Sequence, residues 1–107
     1  MRSAFNLILE TLNKGDEYLV FTLGEELGLE QLKLFFKQYH RKRIEKKIKV
    51  RLVANIKIKN VFEKHHVFLG MKVKYTKQTL PTGVFIYGDN VMTVVWEGKP
   101  TAFVIKS

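Results

Sequence analysis

Cysteine is absent from this sequence of 107 residues. Without thiols the chain can form no disulfide, no zinc ribbon and no iron–sulfur cluster, and thiol catalysis is excluded. Serine is nearly as scarce, because it occurs only as Ser3 and Ser107, each at a chain end, where order is least expected. We therefore predict no serine nucleophile and no tie to an oxidising compartment.

Long apolar runs are also missing. The longest, such as the run from Val91 to Trp96, fall far short of the roughly 20 residues that a membrane span needs. The N-terminus lacks the apolar block of a signal peptide. These absences predict a cytoplasmic protein with no membrane partner.

Side chains suited to acid–base or metal chemistry are few. Asp16 and Asp89 are the only aspartates, and each lies beside a glycine in a sequence typical of a turn. The glutamates fall mostly on exposed faces of predicted helices, with no pair spaced to share a metal ion or a proton. His65 and His66 are adjacent, and on a helix they would point roughly 100° apart, which rarely ligates one metal. We predict no metal site and no cofactor, and a buried or surface role for these histidines and for His40.

No phosphate-binding glycine loop or dinucleotide fingerprint is present. The aromatic residues Phe35, Phe36 and Tyr39 could stack on bases, but they recur with helical spacing. Aromatics that stack on nucleic acid usually lie on a sheet face among basic residues. We therefore predict that these three rings pack in the core.

Positive charge is what the sequence has in excess. Nineteen Lys and Arg against ten Asp and Glu give a formal net charge of +9, which attracts nucleic acid, anionic lipid or an acidic protein. Seven of these cations lie between residues 41 and 51, with Glu45 as the only acid among them: Arg41, Lys42, Arg43, Lys46, Lys47, Lys49 and Arg51. Two interpretations remain open, a solvated helix end suited to the negative pole of the helix dipole, or a binding patch for a ligand or partner. The residues of that patch would be Arg41, Arg43, Lys47 and Arg51.

Hydrophobic periodicity divides the chain into helices and strands. Helical spacing predicts helices over residues 4–12, from residue 25 into the basic cluster, and over 57–69. Strand patterns cover residues 18–22, 48–54, 71–75, 83–87, 91–96 and 101–105. Turn sequences separate the last three strands, which predicts an antiparallel meander. Residues 1–107 are thus expected to form one α/β domain with a mixed sheet, parallel in its first part, and helices packed on its faces.

The C-terminal third also carries a family resemblance. Its residues are Leu80-Pro-Thr-Gly-Val-Phe-Ile-Tyr-Gly-Asp-Asn-Val91, then Val94-Val-Trp96 and Lys99-Pro-Thr-Ala-Phe-Val-Ile105. This pattern resembles the phospholipase-D-like regulatory domain of the archaeal TrmB family of transcriptional regulators. Upstream, Phe35 through Arg43 and then Ile48 through Asn55 are similar to that domain's basic-ended helix and the strand after it. The resemblance spans most of the chain and implies a phospholipase-D-like mixed sheet flanked by helices.

The resemblance also implies that catalysis has been lost. Active phospholipase D enzymes carry the motif H-x-K-x4-D, in which the histidine attacks phosphorus and the lysine holds the phosphate oxygens. With the motif laid over residues 82–89, its aspartate falls on Asp89, but Thr82 takes the histidine position and Val84 the lysine position. The chain's own H-x-K begins at His40 and has Lys47 where the aspartate is required.

From these residues we expect a non-catalytic ligand-sensing or dimerisation domain of a TrmB-like regulator, with a small-molecule effector and with Asp89 among its binding residues. Residues 1–24 hold one helix and one strand, too little for the winged helix-turn-helix with which such regulators read DNA. A nucleic-acid-binding module that uses the Arg41 to Arg51 cluster is the alternative. A nuclease or phosphodiesterase half-site is a third.

A homodimer is the expected assembly. A phospholipase D site is normally built from two motif-bearing halves across a two-fold or pseudo-two-fold axis, and this chain has room for one half. The last two strand patterns are apolar on both faces, which invites pairing or burial against another surface. Trp96 would anchor that interface, with a core position as the alternative.

Overall fold

The main elements among the described residues are two α-helices and six strands. The helices are α1 (Arg2–Thr11) and α2 (Glu30–Glu45). The strands are β1 (Glu17–Thr22), β2 (Lys49–Asn55), β3 (Met71–Thr76), β4 (Val84–Tyr87), β5 (Asn90–Val95) and β6 (Thr101–Lys106), and a 3₁₀ helix (Ile56–Ile58) follows β2. The structure is a computed structural model that describes residues 2–22, 30–60, 63, 70–79, 83–95 and 101–106.

The six strands form one mixed sheet in the order β3-β2-β1-β4-β5-β6. Strands β1, β2 and β3 are parallel, and β4 joins β1 in antiparallel orientation. From β4 onward the sheet is an antiparallel meander. The predicted α/β class, with a parallel first part and a closing meander, is therefore confirmed. Of the helix predicted over 57–69, Lys59, Asn60 and Glu63 are helical, and residues 61–62 and 64–69 lie outside the described residues.

One face of the sheet, here called the inner face, carries the core. Strand alternation puts every second side chain on this face, and the strand registers bring these positions into line across the sheet. Its buried side chains are Tyr18, Val20, Thr22, Val50, Leu52, Ala54, Phe85, Tyr87, Met92 and Val94.

Both described helices cover the inner face, and Phe5 of α1 lies where they meet. The Phe5 ring is fully buried, with its centroid 5.0 Å from that of Phe85 and 5.3 Å from those of Phe35 and Tyr39, all edge-on. Edge-on aromatic pairs contribute about 0.5–1.5 kcal/mol each beyond the area they bury. The predicted core role is confirmed for Tyr39, and Phe35 and Phe36 are half-buried and pack against the core. Helices were expected on the faces of the sheet, but the described ones share a single face, as a right-handed β1–α2–β2 crossover and the Phe5 contacts require.

The C-terminus of α2 fixes the direction in which the chain enters β2. The Ile48 N–H donates to the Arg43 carbonyl and the Lys47 N–H to the Ile44 carbonyl, which is the bond pattern of a Schellman motif. Lys47 occupies the position where such motifs favour glycine, with φ at 60°. Its carbonyl accepts a hydrogen bond from the Gly15 N–H, so the end of α2 is also tied to the loop before β1.

The strained backbone at Lys47 makes a testable prediction. Replacing Lys47 with glycine removes the Cβ that disfavours this conformation, and we expect the free energy of unfolding to rise by about 1 kcal/mol, or about 4 °C in melting temperature. Lys47→Ala is the matched control, because it removes the charge and keeps the Cβ. Thermal and urea unfolding of both variants measure the effect, and equal stability of the two variants would contradict it.

Candidate functional site

The predicted basic cluster does not form one surface. Arg41, Lys42, Lys46 and Lys47 are exposed at the end of α2, and Lys49 and Arg51 are exposed on the face of the sheet away from the helices, here called the outer face. Arg43 is fully buried, so it is not part of any exposed binding patch. The turn from helix to strand divides the exposed cations between two layers of the molecule. Arg43 is buried because it follows the buried Tyr39 by four residues, and helical spacing puts both on the same face of α2.

Arg43 instead ties α2 to β2 from inside. Its Nε donates to His40 Nδ1 over 2.9 Å, and its Nη1 donates to the Ile48 carbonyl over 2.7 Å. A Cβ added at Gly70, whose φ is +75°, would lie 3.2 Å from Nη1, so glycine is what leaves room for the guanidinium. Burial lowers the pKa of Arg43, but an arginine still stays charged at neutral pH. Because His40 Nδ1 accepts this bond, the His40 ring is held with that nitrogen unprotonated.

A buried pair of tyrosines lies beside this arginine. The hydroxyls of Tyr18 on β1 and Tyr39 on α2 are 2.8 Å apart and hydrogen-bonded. Burial raises the pKa of Tyr18 to about 12 and the pKa of Tyr39 well above its usual value, while the positive charge of Arg43 lowers both. The sequence pattern assigned Tyr39 to the core and Tyr18 to a strand, but gave no sign that their hydroxyls would face each other.

The outer face has a basic half, formed by β2 and β3. Its cations are Lys49, Arg51, Lys72 and Lys74, all exposed, and the parallel register puts Arg51 directly beside Lys72. Arg51 Nε lies 2.9 Å from Glu17 Oε1, and both groups are exposed enough that this ion pair contributes little to stability. The alternation of Lys72 and Lys74 showed a solvent-facing strand side in the sequence, but only the pairing of β3 with β2 joins these lysines to Arg51.

The rest of the outer face, on β1 and β4–β6, is its apolar half. Registers across these strands align Leu19 with Ile86, Val91 and Ile105 in one row, and Phe21 with Val84, Thr93 and Phe103 in the next. Phe103 is 57% exposed and Ile105 is 68% exposed, which is unusual for side chains of this size. None of the described helices covers this apolar half.

A shallow depression lies between the outer surfaces of the two helices. It has a volume of about 400 Å³ and is lined by Asn6, Leu9, Glu10, Lys42 and Lys46. The Lys46 ammonium donates to the Leu9 carbonyl, so it caps the last turn of α1. The lining carries both signs of charge around one apolar side chain, which suits a small polar ligand.

The remaining predicted residues divide between described and undescribed positions. Asp89 is exposed in the two-residue turn between β4 and β5, where Gly88 has φ at +55°. Val84, at the lysine position of the catalytic motif, lies on the outer face of β4. Thr82 and Trp96 lie outside the described residues, as do His65 and His66.

Within the described ranges, no three His, Asp or Glu side chains gather as metal ligands would. The helices among these same residues include none long and apolar enough to cross a membrane. Comparison of the chain with family models, curated proteins and solved structures found no match.

The buried tyrosine pair predicts a loss of stability in alkali. Tyr18 ionises near pH 10 in the unfolded chain and near pH 12 when folded. Its contribution to the free energy of unfolding is therefore complete below pH 10 and is lost as the pH rises toward 12. The free energy of unfolding should fall in this window by about 1.4 kcal/mol per pH unit for each tyrosine that stays protonated only in the folded state.

Urea unfolding at several pH values, compared between the wild type and Tyr18→Phe, measures this effect. The variant should be less stable at neutral pH by about 1 kcal/mol, because the hydrogen bond to Tyr39 is lost, and its stability should fall less steeply above pH 10. Equal slopes in the two proteins would show that the hydroxyl pair is not buried in solution.

Proposed function

We propose that this chain is a non-catalytic ligand-sensing or dimerisation domain of a TrmB-like transcriptional regulator, phospholipase-D-like in fold and cytoplasmic. The observation that carries the proposal is the apolar half of the outer face, where the strands expose Ile86, Val95, Phe103 and Ile105. Exposed apolar surface of this kind is typical of protein contacts. A hydrolytic site would instead need converging polar groups.

The positions that correspond to the enzymes' motif support a non-catalytic role. Val84 offers no cation to hold phosphate oxygens, and it lies in an apolar row of the sheet. The histidine of the chain's own H-x-K, His40, is buried on α2 with Nδ1 engaged by Arg43. A general base or nucleophile must lie within reach of substrate, and a buried side chain on a helix does not.

Ligand sensing would use the depression between α1 and α2. Its lining brings together side chains from α1 and from the end of α2. Lys42 and Lys46 on one side and Glu10 on the other could hold a ligand that carries both charges. Such a ligand would bridge the two helices that cover the core, and so bias their relative position.

Light scattering tests the dimerisation role. At micromolar concentration we expect about twice the chain mass of 12.5 kDa, because no described helix or strand covers the apolar half of the outer face or pairs with the outer edge of β6. A chromogenic phosphodiester should show no turnover above background, with the same result for His40→Ala. A monomer at every concentration, or turnover that disappears in His40→Ala, would contradict the proposal.

The alternative function, nucleic-acid binding, is favoured by one observation, the basic half of the outer face. Four exposed cations on two adjacent strands form a surface that could follow a phosphate backbone. This surface replaces the continuous Arg41 to Arg51 patch that the sequence suggested, because Arg43 is buried and Lys72 and Lys74 take part.

Titration of a labelled duplex and a labelled single strand at two salt concentrations tests this alternative. Binding through these cations should weaken steeply with salt, and the double substitution Lys72→Glu with Lys74→Glu should weaken it by at least about tenfold and reduce the salt dependence. Lys14→Glu with Lys37→Glu is the charge-matched control, since both residues are exposed and lie off this face. Absence of binding at low salt, or equal loss in both double variants, would rule the alternative out.

A further inference from the structure

Strand β6 is an edge strand without the usual protection. Among the described strands it pairs with β5 alone, and it exposes Phe103 and Ile105 on the outer face and Val104 on the inner face. Its only charge is Lys106, at its end. The opposite edge, β3, carries lysines at alternate positions, which is a common way to prevent strand pairing. The two edges of the sheet are thus built differently.

The hydrogen-bond pattern shows which β6 groups point away from the sheet. The Val94 N–H donates to the Gly83 carbonyl over 2.8 Å, so Val94 bonds toward β4. Bonding direction alternates along an antiparallel strand, and therefore Thr93 and Val95 bond toward β6. Their partners Phe103 and Thr101 bond back to β5. The backbone groups of the alternate residues Ala102, Val104 and Lys106 consequently face the free edge.

We infer that β6 pairs with β6 of a second copy, antiparallel, about a two-fold axis that passes beside Val104. A two-fold axis normal to the sheet keeps every side chain on its own face of the sheet. The axis must therefore pass beside one residue, which then faces its own copy, because an axis between two residues would pair side chains from opposite faces. With the axis at Val104, this residue faces itself, Ala102 faces Lys106, and Phe103 faces Ile105. Each pair whose backbone points outward exchanges two hydrogen bonds, as in any antiparallel ladder.

The two neighbouring registers are less favourable. An axis at Phe103 would leave the outward-pointing backbone of Lys106 opposite no residue of β6, and an axis at Ile105 would do the same to Ala102. The Val104 register instead matches outward-pointing groups over the length of β6 and sets no like charges directly opposite each other. It also continues the apolar half of the outer face across the axis, through Phe103 and Ile105.

The strand order keeps the basic half of the outer face away from this pairing. The basic half of the outer face lies on β2 and β3, and β3 is separated from β6 by five strand spacings, roughly 24 Å. The Debye length at physiological salt is about 8 Å. The basic halves of the two copies are therefore well screened from each other.

This interface rests on the proposed dimerisation role and gives it a location. It is tested with the variants Val104→Lys and Val104→Glu. Because Val104 faces itself across the axis, each variant's homodimer brings two like charges together, and the mixed dimer of the two variants brings opposite charges together. Each variant alone should dimerise at least about tenfold more weakly than the wild type, and an equimolar mixture should recover most of the loss. Thr76→Lys and Thr76→Glu, on the other edge strand, are the matched controls and should leave the dimer unchanged.

Sedimentation equilibrium gives the dissociation constants, and circular dichroism shows whether each variant is folded. Wild-type dimers with unchanged Val104 variants would overturn this interface and leave the dimerisation role standing. Weakened variants with no recovery on mixing would overturn the self-facing position of Val104. A wild type that is monomeric throughout would overturn both the interface and the dimerisation role.

Discussion

The buried guanidinium of Arg43 is the constraint around which the helix-to-strand junction is built. It needs an acceptor at the start of β2, which the Ile48 carbonyl provides, and a nitrogen lone pair on α2, which His40 provides. Gly70 before β3 leaves it room, because a Cβ there would lie 3.2 Å from Nη1 and the guanidinium would have to shift. Leaving a buried charge without such partners would cost several kcal/mol. One side chain thus fixes α2, β2 and the entry to β3 together.

Much of the fold could be predicted because each strand has one face against the helices. Alternation in β2 and β3, the turn residues around Asp89 and the helical spacing of Phe35 and Tyr39 are all local patterns that record burial directly. They gave the element order, the parallel first part and the meander. Where an element end lies among the described residues, the predicted boundary differs from the observed one by at most two residues, as is usual at element ends, and residues 25–29 of the second predicted helix lie outside them.

The candidate site was predicted less well, because it depends on contacts between distant residues. A run of cations shows charge but not direction, and Arg43 looks the same in the sequence as Arg41 although one is buried and the other exposed. Lys72 joins Arg51 only through the pairing of β3 with β2. The hydroxyl contact between Tyr18 and Tyr39 likewise depends on how α2 lies on the sheet, which periodicity cannot specify.

The position of β1 at the centre of the sheet has a consequence for how the chain folds. One side of β1 pairs with β2, which follows after α2, but its other side pairs with β4, far later in the sequence. While the chain emerges from the ribosome, β1 can acquire its parallel neighbours well before residues 84–87 exist outside the exit tunnel. Pairing across such a separation is slow, and an apolar strand left open in the meantime can pair with other chains. Folding of this protein should therefore be completed late, when β4 arrives and closes the open side of β1.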